Sequence, residues 1–164
     1  MAVRVALEVA PKRAFASALD WPGWSRGAKT EDEALHALIE YGARYARVAK
    51  RARVHFDPPS TVRGLSLAER IGGGASTEFG IPSLPVSGDD EPLDGRELDR
   101  LIALLRAAWA EFDAATSKAH GVSLRVGPRG GGRQVAKMIE HVREAEAAYV
   151  GQLGSRVSGS TTDT

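Results

Sequence analysis

The sequence predicts an α+β fold: a small antiparallel sheet carrying one long helix, followed by an α-helical hairpin. Three observations predict it. Residues 3 to 9 alternate, with Val3, Val5, Leu7 and Val9 on one side and Arg4, Ala6 and Glu8 on the other, the period of a half-buried strand. Residues 30 to 51 open on a capping signal and continue at helical spacing. Two further apolar stripes of helical period lie between residues 94 and 153, beyond a Gly/Pro-rich stretch.

The elements follow in order. Pro11-Lys12-Arg13 supplies a turn, and residues 14 to 20 read as a second strand with Phe15 and Leu19 on one face. Pro22-Gly23 breaks or bulges that strand, and Trp24-Ser25-Arg26 extends it. Thr30 and Glu33 form a T-x-x-E capping box, and Glu31, Asp32 and Glu33 place negative charge at the positive helix end. Leu35, Leu38, Ile39, Gly42, Tyr45 and Ala49 then mark a helix over residues 31 to 51. Residues 53 to 57 and 62 to 71 read as short strands. Residues 72 to 93 hold Gly72-Gly73-Gly74, Gly80, Pro82, Pro85, Gly88 and Pro92, and read as a connecting loop. Asp94 and Glu97 cap a second helix with the stripe Leu98, Leu101, Ile102, Leu105, Trp109 and Phe112, closed by His120-Gly121. A third helix follows over residues 133 to 153, with Val135, Met138, Ile139, Val142, Ala145 and Tyr149 expected inward. Residues 155 to 164 are polar and read as a disordered tail. The organisation expected is a domain over 1–71, a loop over 72–93 and a hairpin over 94–154.

Composition excludes whole classes of chemistry. The 164 residues contain no cysteine, so disulfides, thiolate catalysis and cysteine-ligated metals are out. A net charge of +1 commits the chain to neither nucleic acid nor membrane. The N-terminus lacks a secretory apolar core, and no run reaches the ~20 apolar residues of a membrane span, so a cytoplasmic location is expected. The hydrophobic and charged fractions, 43% and 26%, are those of a globular chain.

Phe15-Ala-Ser-Ala-Leu-Asp-Trp-Pro-Gly-Trp24, Gly27 and Thr30-Glu-Asp-Glu-Ala-Leu35 together resemble HicB-type antitoxins, with a strand ending in an aromatic-Pro-Gly corner before a helix. The resemblance implies a β-β-α-β domain over residues 1–71, related in shape to a degraded ribonuclease H sheet and used to contact a protein partner. In that family the partner would be a small RNA-cleaving toxin. Neither a helix-turn-helix nor a ribbon-helix-helix pattern accompanies it here. Met138-Ile-Glu-His-Val-Arg-Glu-Ala-Glu-Ala-Ala-Tyr149 resembles the helix of DinB-like bundles, which implies His141 as a metal ligand. The four histidines, His36, His55, His120 and His141, lack H-x-x-x-H spacing. The whole chain also resembles uncharacterised actinobacterial proteins that share the loop Gly127-Pro-Arg-Gly-Gly-Gly132, a resemblance that adds nothing about activity.

Three groups of residues stand out as candidate sites. Arg125, Arg129, Gly130, Gly131, Gly132 and Arg133 run into a helix N-terminus, where free N–H groups suit a phosphate or carboxylate. The G-K-[ST] of a Walker loop and the Rossmann fingerprint are both absent. Trp21 and Trp24 flank Pro22-Gly23 and are partner-binding candidates; one is expected buried and the other partly exposed. Arg44, Arg47 and Arg51 share one helix face, a grip for phosphates or an acidic partner. The bland accounts are a flexible connector, a core cap and a solvated face respectively. For His141, pairing with Glu144 one turn on outweighs a ligand role.

The function expected is a non-enzymatic protein-binding or regulatory scaffold of the HicB-like antitoxin type, with no cofactor and with a protein partner or a second copy as its ligand. A DinB-like metal enzyme using His141 is the second reading. Nucleic-acid binding through Arg44, Arg47 and Arg51 is the third, ranked last by the near-zero net charge.

Overall fold

Four strands and a long helix build the first part of the molecule. The computed structural model describes residues 2–124 and 134–154. Strands β1 (Val3–Ala10), β2 (Arg13–Ala18) and β3 (Ser25–Ala28) precede helix α1 (Glu31–Arg51), and β4 (Leu65–Gly72) follows it. A short helix α2 (Ala75–Phe79), then α3 (Gly95–Lys118) and α4 (Val135–Gln152), complete the order. The chain forms two compact units, Met1–Glu111 and Phe112–Thr164. The fold is α+β, as the sequence predicts.

The sheet has the order β3-β2-β1-β4. β1 and β2 pair antiparallel with Leu7 opposite Ala16, and β2 and β3 pair antiparallel with Ala16 opposite Arg26. β4 pairs with β1 in parallel, Val5 opposite Leu67 and Ala6 opposite Glu69, with a bulge between. The sheet is therefore mixed, not antiparallel throughout. The reason is connectivity: α1 carries the chain back between β3 and β4, so β4 runs in the direction of β3 and β1.

One face of the sheet holds the core. Val5, Leu7, Ala14, Ala16, Ala18 and Trp24 pack with Ala34 and Leu38 of α1. Small alanines on β2 let the helix come close. The N-cap of α1 forms as expected: Glu33 N–H donates to Thr30 Oγ1 at 3.2 Å. The Glu33 carboxylate reaches one residue further back than a capping box requires, accepting from Lys29 N–H at 3.2 Å. Gly42 is needed at a close approach, since a Cβ there would stand 2.8 Å from Pro58 Cβ and 3.4 Å from Trp24 Cζ2.

Residues 53 to 57 do not form the strand their composition suggests. Arg53 takes a left-handed conformation, φ 59°, and Val54 N–H donates back to Ala49 O at 3.0 Å. That closure of α1 turns the chain and folds Phe56 onto the aromatic corner. Residues 62 to 64 form a single 3-10 turn rather than the start of β4.

The other sheet face is covered too, which alternation alone did not anticipate. Ala6, Glu8, Ala10 and Phe15 are all buried. Their cover is the stretch expected to be a bare loop. Gly73 N–H donates to Val9 O at 2.7 Å, α2 follows, and Lys12 N–H donates to Glu78 Oε1 at 2.7 Å. The Glu8 carboxylate accepts from Thr77 Oγ1, from Ser83 N–H at 3.1 Å and from Leu84 N–H at 3.2 Å. Further on, Glu69 accepts from Ser87 N–H and Oγ at 3.0 and 2.8 Å. Residues 73 to 87 are thus a strap tied to the sheet.

In α3 the cap forms as expected, Glu97 N–H donating to Asp94 Oδ1 at 2.7 Å. α4 forms, but none of its residues is buried, so the inward packing expected of its stripe is not seen.

Candidate protein-binding surface

The aromatic corner is built by Pro22-Gly23, where Gly23 has φ 87°, between β2 and β3. Trp24 is 2% exposed, and its Nε1–H donates to Leu38 O at 2.9 Å. Trp24, expected as a partner contact, is instead sealed in the core: the alanine-rich second strand leaves space that its ring helps to fill. Trp21 is half-buried, 4.5 Å from Phe56 and 6.0 Å from Tyr45 between ring centroids. Tyr45 O–H donates to Pro22 O at 3.0 Å and locks the corner to α1. Burial pushes the Tyr45 phenol above its usual value.

Arg100 of α3 covers Trp21, its guanidinium 5.2 Å from the ring centroid. The same side chain donates to Asp20 O at 2.8 Å and pairs with Glu97 at 2.6 Å. The bond to Arg100 holds the Glu97 carboxyl below the usual range.

The basic face of α1 is partly spent inside the molecule. Arg51 Nε donates to Glu111 Oε1 at 2.7 Å and Arg47 donates to Oε2 at 2.8 Å. Those bonds, Arg51 first, hold the Glu111 carboxyl low. The expected stripe of three therefore divides. Arg44 instead leans on Tyr41, 5.5 Å from the ring centroid. Arg26, which sequence reasoning passed over as a strand residue, stacks on the same ring at 3.3 Å. Its burial lowers its pKa, and its Nε is buried without an acceptor among the described residues. The register of β3 with Ala16 is what aims Arg26 at α1.

α3 is apolar on two sides. Leu104 and Ala107 are buried on the side that carries Arg100 and Glu111. On the opposite side Leu98, Ile102, Leu105 and Trp109 are 48%, 37%, 51% and 44% exposed. Asp99 and Arg106 border that outward stripe and are exposed. The stripe read from the sequence, Leu98, Leu101, Ile102, Leu105, Trp109 and Phe112, is therefore mostly the outward side; the docked side is Leu104 and Ala107, which lie off it, because Arg100 and Glu111 on that side bond to Asp20 O and to Arg47 and Arg51.

Arg125, Arg129, Gly130, Gly131, Gly132 and Arg133 lie outside the described residues. His141 is exposed on α4, and among the described residues no group of three His, Asp or Glu side chains could hold a metal ion. Among the described residues no helix is long and apolar enough to cross a membrane. A cleft of about 670 Å³ lies between the strap and the sheet, lined by Arg4, Glu8, Ser17, Ser25, Glu69 and Asp89 among others. Several of its polar groups are already engaged: Ser17 and Ser25 hydroxyls are 2.7 Å apart, Glu69 accepts from Ser87, and Arg4 pairs with Asp20 outside the cleft at 2.6 Å.

No family model, curated protein or solved structure matches this chain.

Proposed function

We propose that this chain is a non-enzymatic protein-binding, regulatory scaffold of the HicB-like antitoxin type. The observation that carries the reading is the outward stripe Leu98, Ile102 and Leu105 on a helix already fixed by its other side. Contiguous exposed apolar surface bordered by charge marks a protein contact. The order β-β-β-α-β in one sheet supports the family part of the reading, since it contains the β-β-α-β unit that the resemblance implies. On that reading the chain works in the cytoplasm on a small toxin-like partner, and Arg125, Arg129 and Arg133 with Gly130, Gly131 and Gly132 add an anion-binding loop. The other readings draw less support. Arg47 and Arg51 already face Glu111, and among the described residues His141 belongs to no group of three His, Asp or Glu side chains that could hold a metal ion.

The test is purification of the full chain from its own host, with Leu105→Glu alongside. The expected result is a protein, a second copy of this chain or a different one, bound in fixed stoichiometry and lost from the variant. A specific turnover by the pure protein would sink the scaffold reading.

A further inference from the structure

We infer that the outward side of α3 pairs antiparallel with the same side of a second copy of this chain. The inference rests on the protein-binding reading and names the partner. Leu98, Ile102, Leu105 and Trp109 recur at steps of four, three and four, the spacing of a coiled-coil seam. All four are exposed, and they lie diametrically opposite Leu104 and Ala107 on the helix. A helix apolar on both sides is expected to be covered on both. The seam is short, roughly 16 Å from Leu98 to Trp109 at the usual rise per residue. A free helix of that length would be marginal, but α3 is already ordered by its docked side, so pairing carries little helix-forming cost.

Charge complementarity selects the second copy and its direction. One flank of the seam carries Asp99 and Arg106; the other carries Leu101 and Ala108. Neither Asp99 nor Arg106 makes an ion pair among the described residues. Parallel pairing would set the charged flank of one copy against the uncharged flank of the other. Antiparallel pairing sets like flank against like flank. With Leu98 over Trp109 and Ile102 over Leu105 of the second copy, Asp99 falls beside Arg106 of that copy, and the two-fold axis repeats the pair. On the opposite flank Leu101 meets Ala108, whose small side chain permits close approach. The surface is thus complementary to itself in one direction only.

The test is sedimentation equilibrium and native mass spectrometry of the full chain. A dimer is expected. Asp99→Arg alone sets two arginines together in each flanking pair, and Arg106→Asp alone sets two aspartates together. Each single variant should dimerise roughly tenfold more weakly or worse, since two favourable pairs become two repulsive ones. Mixing the two single variants should give a heterodimer in preference to either homodimer, and the double variant should regain the dimer. Leu105→Glu should give a monomer with an unchanged helical circular dichroism signal. A wild-type monomer overturns the inference. So does a dimer indifferent to Leu105→Glu and to both charge variants, and so does a Leu105→Glu variant that unfolds as a monomer because the stripe is covered within its own chain. A monomer that still holds a different protein through this stripe overturns the self-pairing and leaves the scaffold reading standing. Turnover by the pure protein would overturn the scaffold reading while the dimer measurements stood.

Discussion

Replacing Glu8 with alanine removes the acceptor of three hydrogen bonds at once: from Thr77 Oγ1 and from the N–H groups of Ser83 and Leu84. Orphaned donors against a covered sheet cost about 2–3 kcal/mol. Glu8→Gln keeps an acceptor for the two N–H groups and can donate to Thr77, so it should cost about 1 kcal/mol. Urea denaturation measures both, and faster amide exchange at Ser83 and Leu84 should locate the loss in the strap. Equal losses from the two variants would mean the hydrogen bonds are not what holds it. This residue was not legible as an anchor. In sequence it sits on the polar side of an alternating strand, and only the return of residues 73 to 87 across that side buries it. Trp24 was half legible: the Trp-Pro-Gly-Trp corner called for one buried ring, but the choice between the two depended on Leu38 offering its carbonyl. Arg53 was not legible either, because a non-glycine residue in the left-handed region leaves no compositional mark.

α1 was the most legible element, since cap, charge and period all agree on it. Its interior glycine shows how packing overrides propensity. Gly42→Ala should gain up to about 1 kcal/mol in helix preference. The new Cβ would stand 2.8 Å from a ring atom of Pro58, beside the buried Trp24. Neither ring can swing away, and overpacking costs about 1–3 kcal/mol. The net expected is a loss of about 1 kcal/mol. At Gly151 of α4 nothing lies within 4 Å of an added Cβ, so Gly151→Ala should gain a few tenths. Opposite signs in thermal unfolding of the two variants would bear this out, and the same sign would contradict it. α3 was legible as a helix but not as a helix with two working sides. Its docked side depends on Arg47, Arg51 and Trp21, which lie far away in sequence.

Over the whole molecule, Glu31, Glu69, Glu97 and Glu111 all have carboxyls held below their ordinary value of 4.5. Arg70, Arg100 and Arg51 with Arg47 are the causes for three of them, and the Ser87 backbone N–H leads for Glu69. A depressed carboxyl favours the folded state above its unfolded pKa, and the advantage is lost as pH falls through the folded value. The melting temperature should therefore hold level from neutrality down to about pH 5 and drop below it. The drop should shrink in high salt, because these pairs face water. A melting temperature that rises on acidification would contradict the assignment. The α+β class was legible from periodicity alone; the parallel β1–β4 pairing was not, since strand direction is a property of the path through α1. That pairing bears on how the chain is made. While the ribosome works from Ala18 to Leu65, at roughly 5–20 residues per second, β1 already has β2 on one side but nothing on the other. For those several seconds its open edge, rich in valine, is a template for any neighbouring nascent chain. Expression at low temperature or with a holding chaperone should therefore raise the yield of native protein more than any change to the finished surface.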